Sequence, residues 1–259
     1  MYYTRLNKLE LNYDTTIMLG DIHGEFEAIC RFVQDNDITN TLFVQVGDFG
    51  VGFSDFQNTM IRLNNLNKTL KERDCTVVAI RGNHDDPSWF NVSYDFSHLL
   101  FVPDYTVIKT QNRTFLFVGG AVSIDRKMRI GCDKNSVYKT YWSDEAFVYK
   151  DEVLDEILKS DLDIDTVVTH SSPYYAYPYT DVNLKEWYEQ DDKLHDDIKT
   201  EREGLNKLYD KLSTKYNIKE WYYGHYHGSQ TTMYNNTKFV LLDMYRRFGD
   251  RGGWSYTIY

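Results

Sequence analysis

The chain has 259 residues, 42% of them hydrophobic and 26% charged, with a formal net charge of −10, a balance that excludes disorder and coiled coil and suits one globular domain over residues 1–259. The acidic total and the lack of a Lys/Arg run argue against an extended groove for duplex nucleic acid, which needs phosphate-neutralising cations. No apolar run approaches the roughly 18–20 residues that cross a bilayer, no apolar signal segment follows Met1 to Arg5, and Cys30, Cys75 and Cys132 form no CxxC pair, so the expectation is a cytoplasmic protein with packing cysteines and no membrane partner.

Thr16–Leu19 reads as a strand ending at Gly20-Asp21, and Glu25–Asp37 as a helix with Phe26, Ile29, Cys30 and Val33 on one face. Thr41–Val46 is a second strand ending at Gly47-Asp48. A helix over Asp55–Arg73 follows, and then a third strand, Thr76–Ile80, ending at Arg81-Gly82-Asn83-His84. This alternation predicts a layered α/β fold with parallel pairing. Arg113–Val118 and Asp165–Thr169 have strand character, and Ser143 is placed to cap a helix running to Ser160, with Asp144 and Glu145 in its first turn. Asp191–Lys215 is a highly charged helical stretch expected to be a solvated face. After Trp221–Tyr223, the tail segments Gln230–Tyr234, Lys238–Asp243 and Ser255–Tyr259 read as antiparallel strands.

The chemistry sits at the strand ends. Gly20-Asp21-Ile22-His23-Gly24, Gly47-Asp48, Gly82-Asn83-His84-Asp85, Thr169-His170 and Gly224-His225-Tyr226-His227-Gly228 each close a predicted strand, and loops beyond strand carboxyl ends converge in layered α/β folds. Five of the seven histidines lie in these loops. A mixture of carboxylate, amide oxygen and imidazole without cysteine suits Mn, Fe, Zn or Ni and argues against a structural thiolate zinc site. A divalent cation held by such donors polarises an oxygen and acidifies a bound water. His84, beside Asn83, is the candidate to stabilise the transition state or protonate the leaving group. His98 and His195 belong to no motif and read as surface or satisfied core residues.

The order GDxHG, GD, GNHD, H and GHxH, spanning residues 20–228, resembles the calcineurin-like metallophosphoesterases. That resemblance implies a four-layer fold, a central β-sandwich flanked by helices. It also implies two divalent ions, Mn²⁺ foremost: Asp21, His23 and His227 would hold one, Asn83, His170 and His225 the other, and Asp48 would bridge them. The activity implied is hydrolysis of a phosphate ester. A phosphomonoesterase acting on nucleotides or proteins, and a non-catalytic metal-dependent nucleotide-binding or scaffold protein, are the alternatives.

One departure bears on the substrate. Phosphoprotein phosphatases of this superfamily carry GDxVDRG in the second motif, and here Val51 and Gly52 stand where its Asp and Arg would be. The loss of the residue that orients the catalytic histidine and of the one that binds phosphate favours a singly charged phosphodiester, in a nucleotide or at a nucleic-acid end. Arg81 and Arg126 are the candidates for replacement phosphate contacts. The loop Ser171 to Tyr179, stiffened by Pro173 and Pro178, offers four tyrosines for stacking, Tyr174 first among them.

Overall fold

The computed structural model describes residues 7–178, 183–246 and 255–258. Tyr179, Tyr259 and the segment Met1 to Arg5, invoked above, lie outside them. The strands are β1 (Lys8–Glu10), β2 (Thr15–Leu19), β3 (Thr41–Gln45), β4 (Thr76–Ala79), β5 (Leu99–Phe101), β6 (Thr106–Lys109), β7 (Thr114–Val118), β8 (Thr166–Thr169), β9 (Glu220–Tyr223), β10 (Gln230–Tyr234), β11 (Thr237–Leu241) and β12 (Ser255–Ile258). The helices are α1 (Phe26–Asp35), α2 (Phe56–Glu72), α3 (Arg126–Asp133), α4 (Asp151–Lys159), α5 (Leu184–Gln190) and α6 (Leu194–Ser213).

Two sheets form. One runs β12-β2-β3-β4-β5, parallel except for β12; the other runs β1-β6-β7-β8-β9-β11-β10. Alternation along the strands explains the four layers. Met18, Leu42, Val44 and Val78 of the first sheet meet Ile108, Phe115, Phe117 and Val168 of the second in one buried cluster. The intervening Ile17, Leu19, Phe43 and Val77 face the other way, onto Ile29 and Val33 of α1 and Leu63, Leu66 and Leu70 of α2. On the far face of the second sheet, Leu116, Val167, Trp221 and Phe239 pack on Leu154 and Ile157 of α4 and Leu205, Leu208 and Leu212 of α6. Strands covered on both faces read as unbroken apolar runs, as these do. Among the described residues no helix is long and apolar enough to cross a membrane.

Three expectations change. The helix predicted from Ser143 begins only at Asp151, because the carbonyls of Asp144, Glu145 and Ala146 accept hydrogen bonds from Arg81 instead of from the next turn. The tail is mixed, since β11 pairs antiparallel with β10 but parallel with β9. The stretch expected to be solvated holds α6, whose inner stripe Leu194, Ile198, Glu201, Leu205, Leu208 and Leu212 is buried at spacings of three and four.

Phe239 is fully buried against Trp221 and Tyr209, with ring centroids 5.5 and 5.7 Å away. Phe239→Ala is expected to lower unfolding free energy by about 3–5 kcal/mol in urea titrations. Val137→Ala, at a side chain 96% exposed, should stay within about 0.5 kcal/mol.

Candidate metal centre

The loops after β2, β3, β4, β8 and β9 meet at the carboxyl ends of these strands, where the two sheets lie side by side. The structure brings all seven motif residues together there, in two clusters with Asp48 common to both. Asp21, His23, Asp48 and His227 each offer one ligand atom within 4.8 Å of the others. On the other side, His170 Nε2 lies 3.1 Å from Asp48 Oδ1 and 3.1 Å from Asn83 Oδ1, and His225 Nδ1 lies 2.9 Å from the same Asn83 oxygen.

These atoms fit a cation by their own hydrogen bonding. His170 Nδ1 faces the Val46 carbonyl at 2.9 Å, so Nδ1–H donates there and leaves Nε2, which faces the two oxygens, as the nitrogen that could bind a cation. Burial disfavours charge on this ring, but Asp48 and Asp21 outweigh it and push His170 up to about 10, a proton standing where a metal would. Burial and the nearby His170 hold His225 well below its usual value, keeping a neutral ligand nitrogen. Burial alone would raise Asp48; His170 and His84 reverse that and keep it ionised. Asp21 Oδ1 is buried with no hydrogen-bond partner, an acceptor of the kind a cation satisfies. The donor set is therefore suited to two hard or borderline divalent ions.

Local backbone explains the placement. His23, Asp48, His225 and His227 have φ of 44°, 54°, 70° and 49°, so four of the seven sit in the left-handed region that residues with a Cβ disfavour. Two glycines admit close approach: a Cβ on Gly82 would collide with Asp48 Oδ1 and His170 Nε2, and one on Gly224 with Asp21 Oδ1. Asp85, fully buried, accepts from the amides of Phe49, Gly50, Val51 and Gly82 at 2.6–3.1 Å, tying the second motif to the third.

Sequence reasoning missed the supports. Asn83 Nδ2 donates to Ser123 Oγ at 3.0 Å, which turns Asn83 Oδ1 toward the centre. Arg129, 5% exposed, donates to the Asn83 carbonyl at 3.0 Å and to Ser123 Oγ. Ser123 and Arg129 carried no signal of their own beyond lying within three residues of Arg126. The His84 ring, whose expected carboxylate partner is absent, stacks on Phe53 at 5.5 Å and meets His23 edge-on at 5.0 Å. Burial holds it neutral, with its pKa lowered to about 4 despite the pull of Asp48.

The three predicted substrate contacts are not brought to this point. Arg81 is bound by Asp104 at 2.8 Å and by the three carbonyls named above, a full set of acceptors that its burial demands. Arg126 pairs with Asp191 at 2.5 Å and Asp197 at 2.7 Å and borders a separate cavity of about 300 Å³. Tyr174 is 43% exposed. A larger cavity of about 660 Å³ opens from the centre, lined by Asp48, Asn83, His84, His225 and His227 and, farther out, by Tyr177, Trp187 and Arg202. Of the predicted tyrosine loop, Tyr177 rather than Tyr174 reaches it. His98 is half-buried and satisfied by the Cys75 carbonyl at 2.8 Å, and His195 is exposed beside Asp196.

The sequence matches the profile of the calcineurin-like phosphoesterases over residues 15–229, and the chain belongs to that family, whose members hydrolyse phosphate esters. Comparison with curated proteins finds no match. In fold the chain is similar to a dimetal phosphatase from Danio rerio, at 11% identity and a TM-score of 0.51 over 89% of this chain and 87% of that one. It is also similar to a phosphopantetheinyl hydrolase from Mycobacterium tuberculosis, at 14% identity and a TM-score of 0.45 over 98% and 96% of the two chains.

Two measurements follow from this geometry. Ser123→Ala frees the Asn83 amide to turn and is expected to weaken Mn²⁺ binding by about 10–100-fold in isothermal titration calorimetry. In NMR of the metal-free protein the His84 ring should remain neutral from pH 8 down to about 5. Its folded pKa lies below the ordinary 6.5, so its protonation favours the unfolded chain and stability is lost as pH falls below that value.

Proposed function

We propose that the protein is a dinuclear-metal phosphodiesterase, with Mn²⁺ as the metal, acting in the cytoplasm on a nucleotide or a nucleic-acid end. The observation that carries this reading is the convergence of seven lone-pair ligands about Asp48 at the mouth of a cavity on which His84 also lies. Three free cysteines are in keeping with a reducing compartment.

Bound there, two divalent cations supply positive charge to the phosphate oxygens and acidify a water. The chain's own groups do the rest. Asp48 and Asp21, both buried, would present side-chain oxygens to the cations. His84, locked between Phe53 and His23 and neutral at working pH, donates an N–H to a phosphoryl or leaving oxygen. The water oxygen bonds to phosphorus, the ester P–O bond breaks, and a water proton ends on the departing alcohol. Preference for a diester rests on charge and space. Arg81 and Arg126 are engaged by carboxylates, so neither adds the positive charge that a dianionic monoester calls for. The adjoining cavity has room for a second ester arm.

With Mn²⁺, turnover of bis-p-nitrophenyl phosphate is expected to exceed that of p-nitrophenyl phosphate. Asp48→Asn should abolish it, and His84→Ala should lower kcat by about 10²–10⁴-fold with metal content unchanged. Monoester-dominant turnover would overturn the diesterase reading, and metal binding without turnover of either ester would overturn catalysis.

A further inference from the structure

The wall of the main cavity changes character away from the metal centre. There it is made of Val122, Ile124 and Ile198 with Tyr177 and Trp187, and it is interrupted by Arg202. Arg202 is 9% exposed, and its buried Nε–H has no acceptor. Its guanidinium lies 3.7 Å from the centre of the Tyr177 ring and 5.6 Å from that of Tyr174. Glu201, next in the chain, is engaged instead by the Val122 amide at 2.7 Å.

Other arginines in this protein are treated differently. Arg62, Arg73, Arg81, Arg113, Arg126 and Arg129, all buried or half-buried, each have a carboxylate oxygen within 3.6 Å. Among the described residues no ion pair joins Arg202 to a carboxylate. In a chain with ten more acidic than basic charges, a buried cation held by the side chains of Tyr177 and Tyr174 rather than, among the described residues, by an ion-paired carboxylate is conspicuous. Aromatic rings offset only part of the cost of taking a guanidinium out of water. An anion delivered by a ligand removes the remainder, and the planar fork of an arginine suits phosphate better than an ammonium does.

We propose that Arg202 is the second-anion contact of a substrate subsite: the enzyme takes a phosphodiester whose organic arm lies along the apolar and aromatic wall and carries a further phosphate. This rests on the diester reading above, with the scissile phosphate at the metal centre. A nucleotide with a second phosphate and a 5′-phosphorylated oligonucleotide end share this chemistry, and the two arms of the test separate them.

Isothermal titration of the Mn²⁺-loaded protein would compare thymidine 3′,5′-bisphosphate with thymidine 5′-monophosphate in one arm, and the dinucleotide pTpT with TpT in the other. The doubly phosphorylated member of at least one pair is expected to bind about 10- to 100-fold tighter, and the arm in which it does names the source. In Arg202→Gln that ratio should fall to near one, and in Arg202→Lys to an intermediate value. The wild-type ratio needs no variant, so a misfolded Arg202→Gln would not rescue the idea. Equal affinities within both pairs for the wild type would overturn it, as would a preference that survives in Arg202→Gln. Turnover of bis-p-nitrophenyl phosphate is read separately. Its loss would sink the diesterase reading, whereas equal affinities with turnover intact would sink only the role of Arg202.

Discussion

Asn83 Oδ1 stands between ring nitrogens of His170 and His225, and Asp48 Oδ1 lies 3.1 Å from the same His170 nitrogen. Acceptor oxygens gathered this closely in a dry interior demand positive charge among them, a proton on His170 or a bound cation. Holding that unfavourable arrangement is the constraint under which the rest of the molecule is built. Asp21, Asp48 and Asn83 come from the ends of one sheet and His170, His225 and His227 from the ends of the other, so the apolar layer between the sheets sets the distance between the two halves of the site. The left-handed backbone at four of these residues is strain that the packed strands on either side keep in place.

Around this centre, arginines act as struts. Arg81 fastens the third motif to Asp104 and to the 144–146 carbonyls, and Arg129 fastens Asn83 to Ser123 and Thr140. Each joins segments far apart in sequence, and each is nearly inaccessible to solvent. A guanidinium has five donors in a rigid plane, so it can satisfy several carbonyls at a loop junction where no regular ladder runs. The same engagement occupies the donors of Arg81 away from the cavity.

What was legible in the sequence was local. Each of the five metal-site loops follows directly on an apolar strand, four of them through a glycine, so Asp21, Asp48, Asn83, His170 and His225 could be placed at strand ends without knowing how the sheets meet. The short strands at Lys8–Glu10, Leu99–Phe101 and Thr106–Lys109 were not legible, because three or four residues are too few to show a period. The supporting roles of Ser123 and Arg129 were not readable, since their contacts with Asn83 span 40 and 46 positions. Glu201 and Arg202 had a readable signal that charge density obscured. Leu194, Ile198, Leu205, Leu208 and Leu212 define a buried stripe, and Glu201 falls on it. The missing Asp and Arg of the second motif were visible, but their structural substitutes were not: Phe53 lies against His84, and Asp85 gathers the backbone amides of the 49–51 loop.

The inner stripe of α6 has one further consequence. The helix that packs Leu205, Leu208 and Leu212 into the core also presents Ile198, Glu201 and Arg202 to the cavity, so one rigid rod is both foundation and wall. A single-residue insertion within it would rotate everything beyond by roughly 100°, exchanging inner for outer residues in the core and the cavity together. Descendants of this chain can therefore alter the reach of the cavity by substitution on α6, but not by changing the length of that helix. Variation in length is left to the loops at its ends, where a new ligand preference can arise without disturbing the packed layers.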